Sequence, residues 1–134
     1  MNTLMIEPSD FSLKVVLDPN KNIFELSGES RPENTSMFYA PVLEWLEQYH
    51  HILYCEKDKI VKEVQRVFEF KLEYFNSSSA RFIMDVLRQL DRMALEGCSV
   101  KVKWYYDKRD DDMKESGEEF FKALKKLPAE FVSL

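Results

Sequence analysis

Leu13, Val15 and Leu17 alternate with Ser12 and Lys14, Asp18-Pro19-Asn20-Lys21-Asn22 follows as a run of turn formers, and Ile23 to Ser27 resumes the extended pattern. Successive side chains of a strand point to opposite faces, so two such segments around a turn predict a β-hairpin. Gly28 through Asn34 is polar and broken by Pro32, which reads as a loop leading to a helix that starts between Ser36 and Pro41. Pro41 suits a first helical turn, where a backbone N–H has no intrahelical acceptor. Val42, Leu43, Trp45, Leu46, Tyr49 and Leu53 then recur at helical spacing and form one apolar stripe. Residues 56–65 are charged and leave two states open, a continuation of this helix or a connection.

From Val67 to Phe75 the period changes to two, with Phe68, Phe70, Leu72 and Tyr74 on one face and Glu69, Lys71 and Glu73 on the other. Asn76-Ser77-Ser78-Ser79 offers a turn and an N-cap, after which Phe82, Ile83, Val86, Leu87, Leu90, Met93 and Ala94 line one side of a helix that Gly97 ends. On the polar side, Arg81 and Asp85 stand at supportive i,i+4 spacing. A strand follows at Ser99 to Tyr106, with Val100, Val102, Trp104 and Tyr106 opposed by Lys101, Lys103 and Tyr105. Asp110, Asp111 and Asp112 precede a last helix, roughly Met113 to Lys126, which Pro128 stops; Glu130 to Leu134 adds a short strand.

The order β-β-α-β-α-β-α-β predicts an α/β domain with a mixed sheet of four to five strands and right-handed crossovers. The central strands carry charges at alternate positions, whereas strands covered on both sides read as continuous apolar runs. Helices are therefore expected mainly on one face, with the charged face solvated and stitched by cross-strand pairs.

Length and composition agree with one domain over residues 1–134, since single domains cluster at roughly 100 to 150 residues. Three glycines far apart exclude the clustered-glycine loops of nucleotide-binding folds. A net charge of −5 is the wrong sign for a nucleic-acid or anionic-membrane binder, so proteins or small molecules are the expected partners, with no nucleic acid and no membrane insertion. With neither an export signal nor a long apolar run, the chain is expected in the cytoplasm. Cys55 and Cys98 are expected there as free thiols.

Three constellations carry candidate chemistry. His51 and Cys55, with His50 beside them, share a helical face if the first helix extends that far, but a zinc site needs further ligands in a recognisable spacing. Asp107 and the Asp110–Asp112 run could attract a cation, yet Lys108 and Arg109 interrupt it and no loop glycine is placed as calcium loops require. Helix capping and surface charge account for both groups, and no cofactor or metal is expected. The serine cluster differs: it stands where a strand hands over to a helix, and free N–H groups with the positive dipole end favour a phosphate there. Phosphorylation of Ser77 or Ser78 would add about −1.5 to −2 charge, although simple N-capping by this run is the plainer account of it.

Three stretches together resemble the SiaC-like bacterial regulatory phosphoproteins of biofilm control. They are Ser27-Gly28-Glu29-Ser30-Arg31-Pro32-Glu33-Asn34 with Phe38-Tyr39 and Trp45-Leu46, then Leu72-Glu73-Tyr74-Phe75-Asn76-Ser77-Ser78-Ser79, then Trp104-Tyr105-Tyr106 with Asp110-Asp111-Asp112-Met113. The resemblance implies a domain similar to the STAS fold of anti-sigma-factor antagonists, a non-catalytic protein that switches partners by Ser/Thr phosphorylation at the start of the second main helix. The family's modified residue is usually a Thr directly after the Asn; that position here is Ser77, with Ser78 as second choice. The implied partners are a Ser/Thr protein kinase, a PP2C-type phosphatase and a diguanylate cyclase, which the unmodified form would bind and activate to raise cyclic di-GMP. Glu29, Asn34, Asn76, Ser78 and Arg81 are the expected partner contacts, and a phosphate would exclude the effector by like-charge repulsion and desolvation cost. The rival readings are a small metal-dependent enzyme or metal-binding domain built on His51 and Cys55 or on Asp110–Asp112, and an adaptor that is never phosphorylated.

Overall fold

A computed structural model describes residues 1–134 and places six strands in one sheet, arranged in chain order: β1 (Leu4–Ile6), β2 (Lys14–Asp18), β3 (Ile23–Ser30), β4 (Arg66–Phe75), β5 (Val100–Tyr106) and β6 (Ala129–Ser133). The pairs β1–β2 and β2–β3 are antiparallel, and β3 to β6 run parallel. The helices are α1 (Thr35–Cys55), α2 (Lys59–Glu63), α3 (Ser77–Leu95) and α4 (Asp111–Lys122). The mixed α/β architecture is the expected one, but the sheet has six strands rather than four or five. The extra strand, β1, has only three residues, too few for alternation to reveal it; it is recruited by pairing with Val15, Val16 and Leu17.

Period two explains the division of the sheet. Val15 and Leu17, Phe24 and Leu26, Phe68, Phe70 and Leu72, and Val100, Val102 and Trp104 all face the helices and are at most 5% exposed. They meet Val42, Trp45, Leu46 and Tyr49 of α1 and Ile83, Val86, Leu87 and Leu90 of α3 in one continuous core. The opposite face is polar and cross-linked: Glu25 takes Lys71 at 3.2 Å and Lys14 at 3.5 Å, Tyr105 donates to Glu69 at 2.6 Å, and Lys101 reaches Glu130 at 3.1 Å. Exposed ion pairs stabilise by about 1 kcal/mol at most, whereas each large side chain buried contributes about 1.5–3 kcal/mol. The covered face therefore decides the fold.

Several local expectations are corrected. α1 starts before the predicted range, because the side chain of Asn34 caps it by accepting from the Met37 N–H at 3.1 Å. Pro41 thereby falls in the second turn, on the exposed side, where water replaces the bond it cannot make. Residues 56–65 neither extend α1 nor form a bare connection: Asp58 caps the separate helix α2. The buried Arg66 guanidinium holds that helix by donating to the carbonyls of Val61, Lys62 and Val64 and to the Tyr49 hydroxyl. β3 continues through Gly28 to Ser30, and Gly28, at φ +104°, precedes a register jump in which Glu73 is the extra residue. The bulge leaves Tyr74 49% exposed, against the predicted inward position, and brings Phe75 to 5.7 Å from the Phe120 ring. α4 ends at Lys122, four residues earlier than expected.

Two close fits hold α4 and the segment after it. Asp91 of α3, almost fully buried, accepts backbone N–H groups from Lys125, Lys126 and Leu127 at 2.8–3.2 Å. Burial alone would raise its carboxyl, but these N–H bonds outweigh that effect and hold it below the ordinary carboxylate value. A depressed folded-state value means stability that is present above about pH 4 and lost as pH falls through the folded value. Replacing Asp91 with Asn should therefore lower stability at neutral pH and flatten its decline on acidification, as read by urea unfolding across that range.

Gly117 lies against Trp104, whose indole N–H donates to the Met113 carbonyl at 3.0 Å. A Cβ at position 117 would come within 2.6 Å of that indole nitrogen and 2.8 Å of the Phe131 ring. Gly117→Ala should destabilise, because overpacking costs about 1–3 kcal/mol against a helix-propensity gain of at most about 1 kcal/mol. A lowered urea midpoint measures it.

Candidate functional site

Because β3 and β4 are parallel neighbours, their C-terminal ends deliver the chain to the starts of α1 and α3 side by side. A buried relay of hydroxyls joins the two starts. Ser30 Oγ donates to Ser79 Oγ at 2.8 Å and Ser79 Oγ donates to the Ser30 carbonyl at 2.9 Å. With its proton so committed, Ser30 Oγ accepts from the Tyr39 hydroxyl at 2.6 Å. Burial pushes the Tyr39 hydroxyl above its ordinary value, partly opposed by the hydrogen bonds, so it remains a donor. The Asn76 N–H also reaches the Ser30 carbonyl, at 3.1 Å.

That clasp fixes the phase of α3. Asn76 is its N-cap and accepts from the Ser79 N–H at 2.9 Å. Ser79 is 0% exposed, while Ser77 and Ser78 are exposed. The amides of Ser77 and Ser78 occupy the first helical turn, which has no intrahelical acceptors. A groove of about 550 Å³ separates the two helix starts, lined by Glu33, Asn34, Thr35 and Ser36 on one side and Ser77, Ser78, Arg81 and Phe82 on the other.

Of the residues expected from sequence, Asn34, Ser77, Ser78 and Arg81 meet in this groove, and Asn76 lies beside it as the cap. Glu29 is not in its lining; it pairs instead with Arg31 at 3.1 Å. Nor does Arg81 bridge to Asp85: its guanidinium lies 5.9 Å above the Phe82 ring, and no ion pair joins the two. The sequence reading missed Ser30, Tyr39 and Ser79. For Ser79 a signal existed, since it shares the inward spacing of Ile83, Val86 and Leu90.

The rival constellations have other occupations. His51 Nε2 is 3.8 Å from Cys55 Sγ on the exposed side of α1, while Cys98 is in the core. His50 instead joins α1 to α3, hydrogen-bonding Glu96 through Nε2 and accepting from the Gln89 amide at 2.7 Å. Asp110 caps α4 by accepting from the Met113 N–H at 3.0 Å, and Asp111 and Asp112 occupy the exposed first turn. Asp107 accepts from the backbone and side chain of Arg109, bonds that hold its carboxyl below the usual value. No three His, Cys, Asp or Glu side chains gather where one ion could touch them all.

Residues 6–134 match the model of the SiaC family of regulatory phosphoproteins. The chain belongs to the SiaC family. An uncharacterised protein of Pseudomonas aeruginosa strain UCBPP-PA14 is 31% identical over 97 residues, 71% of this chain and 68% of that protein. The crystal structure of apo-SiaC from Pseudomonas aeruginosa is 25% identical and superposes with a TM-score of 0.83, covering 98% of this chain and 99% of that one. The same fold recurs, at 24% identity and a TM-score of 0.83 over 98% of this chain and 99% of that one, in the crystal structure of the Pseudomonas aeruginosa diguanylate cyclase SiaD in complex with its activator SiaC. No helix of this SiaC-family chain is long and apolar enough to cross a membrane.

The groove's geometry depends on the cap and the clasp. Asn76→Ala should cost about 1 kcal/mol, the usual loss of an N-cap. Ser79→Ala should cost about 1–3 kcal/mol, because it leaves one hydroxyl proton of the buried Ser30–Tyr39 pair without an acceptor. Urea unfolding measures both, and faster amide exchange confined to the first turn of α3 distinguishes the cap variant.

Proposed function

We propose that the protein is a non-catalytic phosphoswitch whose modified residue is Ser77, with Ser78 as second choice. A Ser/Thr kinase adds the phosphate, a PP2C-type phosphatase removes it, and the unmodified form binds and activates a diguanylate cyclase in the cytoplasm. The observation that carries the reading is the exposure of the Ser77 and Ser78 hydroxyls at the N-terminus of α3, inside a groove shared with a second helix start. Membership of a family of regulatory phosphoproteins supports it. The SiaC found with the cyclase SiaD in Pseudomonas aeruginosa, named there as its activator, motivates the choice of effector.

The chemistry follows from position. A phosphate on Ser77 brings about −1.5 to −2 charge to a helix end whose free amides and dipole favour anions, with Arg81 one turn further along the same side of the groove. Unmodified, the groove presents small hydroxyls and the Phe82 edge to a partner. Modified, it presents a strongly hydrated dianion that a docking protein must desolvate. Glu33 and Arg81 are the only titratable side chains lining the groove. Neither is set beside a hydroxyl as a base beside a nucleophile would be, so the groove suits recognition rather than turnover.

The test uses the Ser/Thr kinase and diguanylate cyclases of the protein's own genome. After incubation with kinase and ATP, mass spectrometry should find phosphate on Ser77 or Ser78; its absence from both defeats the assignment. Ser77→Ala should retain cyclase capture and cyclic di-GMP synthesis, and Ser77→Asp should weaken both by about tenfold or more, the scale of a desolvated interfacial charge. Equal behaviour of the two variants removes the switch.

A further inference from the structure

α3 has two flanks, and only one borders the groove of Ser78, Arg81 and Phe82. The other carries Ala80, Met84 and Arg88 at spacings of four and faces α4. α1 and α3 pack closely together, but α3 and α4, although both rest on β5, touch each other little. The gap between them is a second groove, of about 540 Å³. Its apolar lining is Phe75, Ala80, Met84, Phe120 and Ala123. The two alanines leave it open, and the β4 bulge supplies Phe75.

We propose that the α3–α4 groove is the docking surface for a basic amphipathic helix of a partner protein. The proposal goes beyond the phosphoswitch and does not depend on it. Charge selects the occupant. Asp112, Glu115 and Glu119 stand along the α4 rim at spacings of three and four, a ladder about 10 Å long at 1.5 Å per residue. Lys or Arg repeating at the same spacing on a partner helix meets every rung, which an extended peptide, rising about 3.3 Å per residue, does not. Apolar residues on the adjoining face of that helix enter the lining. Arg88, alone on the α3 rim, favours an acidic residue on the opposite flank and so sets the direction in which the helix lies. Glu119 is shared with Lys122 at 2.8 Å, an exposed pair that a partner cation can replace at little cost.

The probe is a synthetic Leu/Lys amphipathic helical peptide, titrated at physiological salt into protein with labelled methyl groups. Saturable shifts should concentrate on the methyls of Ala80, Met84 and Ala123. Glu115→Lys combined with Glu119→Lys should weaken binding about tenfold, while the control pair Glu44→Lys and Glu47→Lys on exposed α1 leaves it unchanged. Circular dichroism verifies that both double variants fold. No binding, shifts scattered over the acidic surface, equal weakening by the control, or equal binding of a Leu/Glu peptide each overturns the proposal. So does concentration-dependent self-association in the ultracentrifuge that the rim variant abolishes, since a second copy is then the occupant. Ser77 is unaltered in every arm, so none of these outcomes bears on the phosphoswitch.

Discussion

The hydrogen bonds between Ser79 and Ser30 set the rotation of α3, and everything exposed on that helix inherits its direction from them. A helix advances about 100° per residue, so placing one residue inward places the next ones outward. With Ser79 and then Ile83, Val86 and Leu90 buried, Ser78 and Arg81 turn toward α1, while Ala80 and Met84 turn toward α4. A hydroxyl in this role is unusual beside so much aliphatic core, and it persists because every polar atom of the clasp has a partner. Ser79 satisfies the carbonyl of the strand before α1, Ser30 satisfies Ser79, and Tyr39 of α1 completes the chain.

Why one part of this was legible and another was not has a physical explanation. Phe68, Phe70 and Leu72, and Val100, Val102 and Trp104, announce themselves because a one-sided sheet demands strict alternation. The stripe of α3 does the same at helical spacing. Where two neighbouring strands must accommodate each other, alternation fails: Tyr74 leaves its expected inward position because a bulge immediately before it adds Glu73 to β4. β1 and α2 are held by long-range pairing and by Arg66, and neither cause is written in the segment itself. In the candidate site, Ser77, Ser78, Asn34 and Arg81 are expected from local chemistry and family likeness, and the structure brings the four to one groove. The clasp joins residues 49 apart in the chain, a separation that only the parallel β3–β4 pairing brings together. Glu29 marks the converse: its register sets it opposite Tyr74, and its carboxylate is taken by Arg31, two residues on in the chain.

The two flanks of α3 also explain an apparent economy in the architecture. The polar face of the sheet is closed by its own cross-strand pairs, with Glu25 shared by two lysines and Glu69 held by the Tyr105 hydroxyl, whose pKa that bond pushes up to about 12. A face so committed has few unmatched groups left for recognition. The helical side is different, since α1 and α3 meet closely while α4 is kept at its own distance by the fit of Gly117 on Trp104 and by the grip of Asp91 on the segment after it. Neither fit involves the groove, yet both determine its width. Both proposed recognition surfaces therefore lie in gaps between helices, and those gaps are maintained by contacts elsewhere.

The phosphate proposed for the start of α3 would act on such an arrangement without moving it. The first turn already has free amides and a favourable dipole, and the clasp beneath it is neutral, satisfied and buried. Two added charges would therefore find partners at the surface rather than force a rearrangement of the core. What would change is the solvation of the groove: a partner able to displace water from two serine hydroxyls would meet instead a tightly hydrated dianion, whose desolvation costs several kcal/mol in order of magnitude. A rigid base with a chemically variable rim would suffice for the control proposed here, and the burial of Ser79, one residue beyond the exposed pair, would keep the base out of reach of any enzyme that modified the rim.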